Sequence, residues 1–202
     1  MSQDARSEKS SELLPQIRSV ALVALGSNVS LSQGDPAETV ANAVTAIGDE
    51  LGVIRAESRQ FQTPAFPPGS GPDFVNAAVA LETALTPGEV LEGLHRIEAR
   101  FGRERRERWA PRTLDLDLVA YDDAVLPDVQ TYNKWANLLL KEQMEQAPGQ
   151  MIVPHPRLAE RAFVLVPLSD VAPDWRHPVS GLSVSQMLDL LPRDSISEVV
   201  AL

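Results

Sequence analysis

The sequence contains no cysteine, few aromatic residues and no long apolar run. The lack of cysteine excludes disulfide-stapled folds and zinc or iron–sulfur sites with cysteine ligands. No stretch approaches the ~20 apolar residues of a membrane-spanning helix. Residues 1–16 also lack the apolar segment of a secretory signal. We therefore expect a cytoplasmic protein that does not enter a membrane.

Positive charge is scarce as well. The 202 residues include 28 acidic and 18 basic side chains, a formal net charge of −10, which argues against a nucleic-acid-binding protein. The exception is the segment 96–112, where seven arginines stand with three glutamates. Such a cluster suits either a site for a small polyanion, such as a nucleoside triphosphate, or a solvated helix end with i,i+4 ion pairs. Charge alone favours the second interpretation.

The order of the predicted elements indicates an α+β fold. The chain length suits one domain, and we assign residues 1–17 to a mobile tail and residues 18–202 to that single domain. Adjacent strands joined by a loop favour antiparallel pairing over a doubly wound parallel sheet. The pattern predicts strands at 19–28, 53–62, 74–83 and 113–123, helices at 36–51, 86–102 and 183–192, a strand or short helix at 163–173, and loops at 63–73 and 103–112.

The strongest local signal of chemistry is the run RTLDLDL at residues 112–118. On a strand, Asp115 and Asp117 share one face, about 7 Å apart along the backbone, while the leucines face the core. Two such carboxylates repel each other unless a cation lies between them, and Mg²⁺ prefers a few carboxylates together with water and substrate phosphates. Beside an arginine-rich loop, this pattern favours metal-assisted phosphoryl transfer over a solvated acidic edge strand.

The run VPHPR at residues 153–157, followed by Arg161, is a candidate phosphate site. Two prolines fix the backbone around His155, and His155 and Arg161 can both donate hydrogen bonds to phosphate oxygens. The alternative is a rigid loop with a surface histidine. His95 and His177 show no ligand spacing, and we interpret them as structural or incidental.

A flat heterocycle would find partners in the segment 63–76. Phe66 and Phe74 offer aromatic faces, and Asn76 offers an amide that can read donor and acceptor groups. The alternative is a core phenylalanine and an asparagine at the start of a strand.

Residues 128–150 read as a helix inserted between two of these motifs. Tyr132, Trp135, Leu138 and Leu139 form an apolar stripe at helical spacing. Lys141 and Glu145 are spaced for an i,i+4 ion pair, and Pro148 with Gly149 would end the helix. The helix either packs on its own domain or provides a partner contact, with self-association through 131–145. No residue here matches a catalytic motif, so we expect the reaction not to depend on it.

Eight motifs follow one another in a recognisable order: LGSN (25–28), TPAF (63–66), PDFVNAAV (72–79), RIE (96–98), FGR (101–103), RWAPRTLDLDL (108–118), VPHPRL (153–158) and RAFVLVPL (161–168). Together they resemble the 6-hydroxymethyl-7,8-dihydropterin pyrophosphokinase family of folate biosynthesis. The resemblance implies a three-layer α+β sandwich, with an antiparallel ferredoxin-like sheet flanked by helices. It also implies transfer of the β,γ-diphosphate of ATP to the pterin hydroxymethyl group, giving AMP and the pterin diphosphate.

The same resemblance implies a role for each matching residue. Asp115 and Asp117 would hold two Mg²⁺ ions, and Arg103 and Arg112 would act on the phosphates during transfer. The implied ATP contacts are Glu98, Arg105 (or Arg106), His155 and Arg161. The implied pterin contacts are Thr63, Pro64, Phe66, Phe74, Asn76, Trp109 and Phe163, with Trp109 in a mobile lid and Phe74 and Phe163 on either side of the ring.

The sequence departs from the family pattern at a few positions. Phe74 stands where tyrosine is often found, so stacking is kept and a hydroxyl is lost. His95 replaces an expected glutamine, and Gln150 and Ile152 replace the basic and hydroxyl side chains of some relatives. Two other classes compete: a nucleotidyl transferase, which would release diphosphate instead of AMP, and an RNA-binding sheet, which the net charge argues against.

Overall fold

The computed structural model describes residues 18–29, 35–65, 71–102, 113–139, 142 and 146–202. Within them the chain forms an antiparallel sheet in the order β5-β1-β4-β3-β6, with β2 also paired to β4. The strands are β1 (Ser19–Ser27), β2 (Val53–Glu57), β3 (Phe61–Thr63), β4 (Phe74–Thr83), β5 (Asp115–Tyr121) and β6 (Val200–Ala201).

The helices begin where the sequence provides caps. Asp35 accepts a hydrogen bond from the Glu38 N–H at the first helix, and Thr86 forms a capping box with Glu89 at the second. Across the described residues the named α-helices are α1 (Pro36–Leu51), α2 (Pro87–Arg100), α3 (Val129–Ala136), α4 (Ala162–Val171), α5 (Val184–Asp189) and α6 (Arg193–Ser197), and Leu158–Glu160 form a 3-10 helix. None of them is both long enough and apolar enough to cross a bilayer.

Two apolar cores lie on opposite faces of the sheet. On one face, Leu25 and Leu116 pack with residues of α1 and α2, such as Ile47 and Leu94. On the other face, Leu22 and other sheet residues pack with residues of α4 and α5. The sheet is therefore the middle of three layers, and the predicted α+β fold with an antiparallel sheet and flanking helices is confirmed.

Two predicted elements differ from the observed ones in number or in type. The single strand predicted at 53–62 is two strands, because both the N–H and the Oγ of Ser58 are bonded to the backbone of Ala78, outside the regular ladder. The apolar run 163–173, predicted as a strand or a short helix, is the helix α4. Packing on β4 selects the helix, since periodicity alone does not separate a buried helix from a buried strand.

The helix predicted in the segment 128–150 is shorter than expected. It ends at Ala136, where the side-chain amide of Asn137 donates to the Asn133 carbonyl at 2.8 Å, a local bond of the kind that competes with continued helix. The predicted pair of Lys141 and Glu145 lies outside the described residues.

Candidate active site

Alternate side chains of β5 divide between the core and a half-exposed face. Leu114, Leu116 and Leu118 are 0, 2 and 5% exposed and belong to the core beneath α1 and α2. Asp115 and Asp117 are partly exposed on the opposite face. The predicted alternation is confirmed, while metal binding by the two aspartates stays a prediction.

β5 lies at the edge of the sheet, and two side elements hold that edge. Glu98 of α2 is 2% exposed, and its Oε1 accepts the Leu116 N–H at 2.8 Å. This bond sits between the two aspartates in sequence. Further along the strand, the His155 N–H donates to the Val119 carbonyl at 2.8 Å. The conformation of the aspartate strand therefore depends on Glu98. A direct contact of Glu98 with a nucleotide stays a prediction.

His155 is neutral in this environment. Burial, followed by the charges of Arg161 and Arg157, lowers the pKa of His155 to about 3, although Asp115 acts in the opposite direction. Its Nδ1 accepts the Arg157 N–H at 3.1 Å. The proton of the neutral ring is therefore on Nε2, where it can be donated to a phosphate oxygen.

A cavity of about 280 Å³ opens beside β5. Asp117, His155 and Arg161, three residues singled out from the sequence, line it. Further lining comes from residues that the motifs did not reveal, namely Leu91, Trp135, Met151 and Ile152. A wall with hydrogen-bond donors, a carboxylate and apolar side chains suits a ligand that is anionic at one part and flat and apolar at another.

One row across the sheet joins the aspartates to the predicted heterocycle site. Gly26 of β1 pairs with Asp115 on one side and with Asn76 of β4 on the other. Directly paired residues share a face, so the carboxylate and the amide lie on the same face, about 10 Å apart at their backbones. A Cβ at position 26 would meet Asn76 Oδ1 at 3.0 Å and Phe74 at 3.8 Å. Glycine thus keeps the floor between the two groups clear.

Four of the predicted pterin residues, Thr63, Pro64, Phe74 and Asn76, meet at one end of β4. Asn76 Nδ2 donates to Thr63 Oγ1 at 2.7 Å, and both residues are buried. Phe74 pairs with Thr63 across the two strands, and Pro64 follows at the surface. This pairing gives a rigid polar edge beside an aromatic face. Stacking of a ligand on that face stays a prediction.

Phe163 lies in the first turn of α4, and α4 packs on β4. Its side chain is 40% exposed, and the guanidinium carbon of Arg161 lies 5.6 Å from its ring centroid. The cation is therefore held over an aromatic face at the helix start. The other predicted site residues, Phe66, Arg103, Arg105, Trp109 and Arg112, lie outside the described residues.

Comparison with known proteins assigns the family. Residues 22–173 match the family model of 7,8-dihydro-6-hydroxymethylpterin-pyrophosphokinase (HPPK). The chain belongs to this family. The HPPK match includes the aspartate strand, the VPHPR run and the strand of Asn76, and so covers the described residues from which the site is built.

Individual relatives agree with the HPPK assignment. The chain is 36% identical over 176 residues to the 2-amino-4-hydroxy-6-hydroxymethyldihydropteridine pyrophosphokinase of Synechocystis sp.. The matched residues make up 87% of this chain and 77% of the relative. It is also 36% identical over 180 residues to a protein of the same name in Methylorubrum extorquens, covering 89% and 98%. Wild-type Plasmodium falciparum HPPK-DHPS has a TM-score of 0.60 at 14% identity, covering 86% of this chain and 44% of that one. That likeness supports the ferredoxin-like fold alone, and this chain spans less than half of the longer protein.

The donor set fits a magnesium ion that shares its coordination with a substrate. Within the described ranges, no group of three or more histidine, aspartate or glutamate side chains forms a metal site by itself. Asp115 and Asp117 offer two carboxylates on one face, and Asp117 lines the cavity of His155 and Arg161. Mg²⁺ commonly binds in this way, with water and phosphate oxygens completing its octahedron.

Proposed function

We propose that this chain is a 6-hydroxymethyl-7,8-dihydropterin pyrophosphokinase that transfers the β,γ-diphosphate of ATP to the hydroxymethyl group of the pterin. The observation that carries the proposal is the row Asp115–Gly26–Asn76. It sets a candidate metal carboxylate and a candidate heterocycle reader on one face of the sheet, two strands apart. In a chain of the HPPK family, this spacing allows the two substrates to meet over β1.

On the nucleotide side, β5 supplies the carboxylates and the VPHPR run supplies a hydrogen-bond donor for the phosphates. Asp115 and Asp117 would hold Mg²⁺, and we propose two ions. When bound, Mg²⁺ neutralises charge on the phosphates and orients them. His155 donates its Nε2 proton in a hydrogen bond to a phosphate oxygen, and Arg161 adds positive charge from the same cavity. Arg103, Arg105 and Arg112 are proposed as further phosphate contacts, and Glu98 is proposed near the nucleotide.

On the pterin side, polar side chains contact the edge of the heterocycle and aromatic side chains contact its two faces. Asn76 and Thr63 present a fixed amide and hydroxyl to the heterocycle, because each is already oriented by the other. Phe74 and Phe163 are proposed to stack on the ring. The remaining proposed contacts are Pro64, Phe66 and Trp109.

The transfer step needs alignment more than a strong base. The hydroxymethyl oxygen forms a bond to the β-phosphorus, and the bond from that phosphorus to the oxygen bridging the α-phosphate breaks. AMP leaves with the bridging oxygen, and the proton of the alcohol passes to water. Positioning of the two substrates and neutralisation of the phosphate charge lower the barrier to this reaction.

The product distinguishes this reaction from its main competitor. Purified protein with ATP, Mg²⁺ and the pterin should release AMP, and AMP formation should stop when EDTA removes the metal. A nucleotidyl transferase would release diphosphate from the same ATP instead. Diphosphate release, or ATP breakdown that does not depend on the pterin, would reject the proposal.

Location and assembly are proposed separately from the chemistry. We propose a cytoplasmic enzyme, as its substrates are ATP and a small pterin. Self-association through residues 131–145 stays a prediction. Tyr132 is only 7% exposed, which favours packing of α3 on its own domain, whereas Leu139 is 71% exposed. Analytical ultracentrifugation of the wild type and a Leu139→Glu variant tests this surface.

A further inference from the structure

The two ends of the segment 127–152 lie side by side in the fold. Leu126 and Val153 form an antiparallel bridge, with N–H to carbonyl distances of 2.7 and 3.2 Å in the two directions. Val153 begins the VPHPR run, two residues before His155. The segment is therefore attached directly beside the candidate phosphate site.

α3 is fixed to the body of the protein through one face. Tyr132 is buried, and its Oη lies 2.8 Å from Nε2 of His177, which is 2% exposed. Nδ1 of His177 accepts N–H groups from Val179 and Ser180, and burial lowers the pKa of His177. The ring is therefore neutral with its proton on Nε2, and this N–H donates a hydrogen bond to Tyr132 Oη.

Trp135 follows Tyr132 by three residues and so lies on the same side of α3. Its side chain is partly exposed and lines the cavity that also contains Asp117, His155 and Arg161. The polar residues are suited to phosphates. Leu118, Met151 and Ile152 supply apolar surface near the indole, which is the surface that a nucleotide base requires.

We propose that Trp135 is part of the nucleotide-base subsite, where its indole contacts the adenine ring of ATP. The inference deepens the proposed function and rests on it. A tryptophan face stacks well on a flat heterocycle, and removal of such an aromatic typically weakens binding by 1–3 kcal/mol, or roughly 5- to 150-fold. The inserted segment thus contributes to substrate binding, although it contains no catalytic motif and the sequence predicts that the reaction does not depend on it.

The test compares a ligand that has the base with one that lacks it. Isothermal titration calorimetry measures the Kd of MgATP and of magnesium tripolyphosphate for the wild type, Trp135→Leu and Trp135→Phe. Trp135→Leu should weaken MgATP binding roughly tenfold and change tripolyphosphate binding less than about twofold. Trp135→Phe, which keeps an aromatic face, should retain most of the MgATP affinity. Val129→Ala, on the same helix at a 49% exposed position, is the matched control.

Each other outcome has a defined meaning. Unchanged MgATP affinity in Trp135→Leu overturns the inference, and so does an equal loss for both ligands, which would indicate a general disturbance of the site. If Trp135→Leu does not fold, Trp135→Met, which also lacks an aromatic face, takes its place in the same comparison, with the same supporting and overturning results. If replacing Trp135 weakens the binding of MgATP but not of tripolyphosphate, and the wild type forms no AMP with the pterin, only the proposed function is rejected. A wild type that binds no ATP would reject both.

Discussion

Asp115 and Asp117 are the residues whose charge the proposed reaction uses most directly. Asp115→Asn or Asp117→Asn should lower the rate of AMP formation roughly 100-fold or more, because a metal site supplies several kcal/mol of charge stabilisation. The fold should remain, because both side chains lie on a partly exposed face, and reduced mutual repulsion favours stability. Product assays and thermal melts measure the two effects. Asp123→Asn, at an exposed position after β5, should behave like the wild type, and normal turnover in either β5 variant would contradict the assignment.

Glu98 is expected to affect stability through the hydrogen bond that it accepts from the Leu116 N–H of β5. Glu98→Leu leaves the buried Leu116 N–H without its carboxylate acceptor, while Glu98→Gln retains an oxygen at the same position. We expect Glu98→Leu to be less stable than Glu98→Gln by about 1–3 kcal/mol, the penalty of an unsatisfied buried donor. Urea unfolding measures the difference, and Glu92→Leu, exposed on the same helix, shows the effect of the substitution alone. Equal stability of the two Glu98 variants would mean that this hydrogen bond does not hold β5.

At the scale of elements, the anchor of α3 can be separated from its contact with the cavity. Tyr132→Phe removes only the hydroxyl that accepts from His177, and it should reduce the free energy of unfolding by about 1–2 kcal/mol. If the anchor positions Trp135, the same variant should raise KM for ATP several-fold with little change in kcat. Denaturant melts and steady-state kinetics measure the two effects. A loss of stability with an unchanged KM would show that the anchor is structural only.

Most elements that the sequence predicts correctly are marked by patterns within a few neighbouring residues. The alternation of β5 and the capping box of Thr86 with Glu89 are both readable within a few residues, and both are observed. The break at Ser58 depends on Ala78, which lies twenty positions away, so no local pattern indicates it. The apolar stripe predicts a longer helix than α3, because it continues beyond Asn137, where the side-chain amide bonds to the Asn133 carbonyl and the helix ends.

At the scale of the whole molecule, the contacts that assemble the site are long-range. The motifs identify Asp117, His155 and Arg161, but only the fold shows that they share a cavity with Trp135. Glu98 matches a family motif, yet its bond to Leu116 follows from the packing of α2 along the sheet edge. The sequence motifs therefore predict candidate residues for the chemistry, whereas the supporting contacts depend on tertiary structure.

Two histidines, His155 and His177, link this assembly to pH. Burial is the largest cause of the lowered pKa of both His155 and His177, and for His155 the pKa falls to about 3. In the unfolded chain each histidine has a pKa of about 6.5. Between that pH and the folded-state pKa, the unfolded state binds more protons than the folded state, so the free energy of unfolding decreases as the pH falls.

We therefore expect stability to fall between about pH 6.5 and 5, by at most about 1.4 kcal/mol per pH unit for each of the two histidines. This window lies above the range of carboxylates such as Asp170, whose pKa is lowered by its hydrogen bond to Arg59, because these lose their contribution near and below about pH 4. Urea unfolding at pH 7 and pH 5 measures the effect. The difference between the two pH values should be smaller in His155→Gln and in His177→Gln than in the wild type, whatever the absolute stability of each variant. If both variants keep the full wild-type difference, other groups cause the acid sensitivity, and the two histidines do not couple the site to pH.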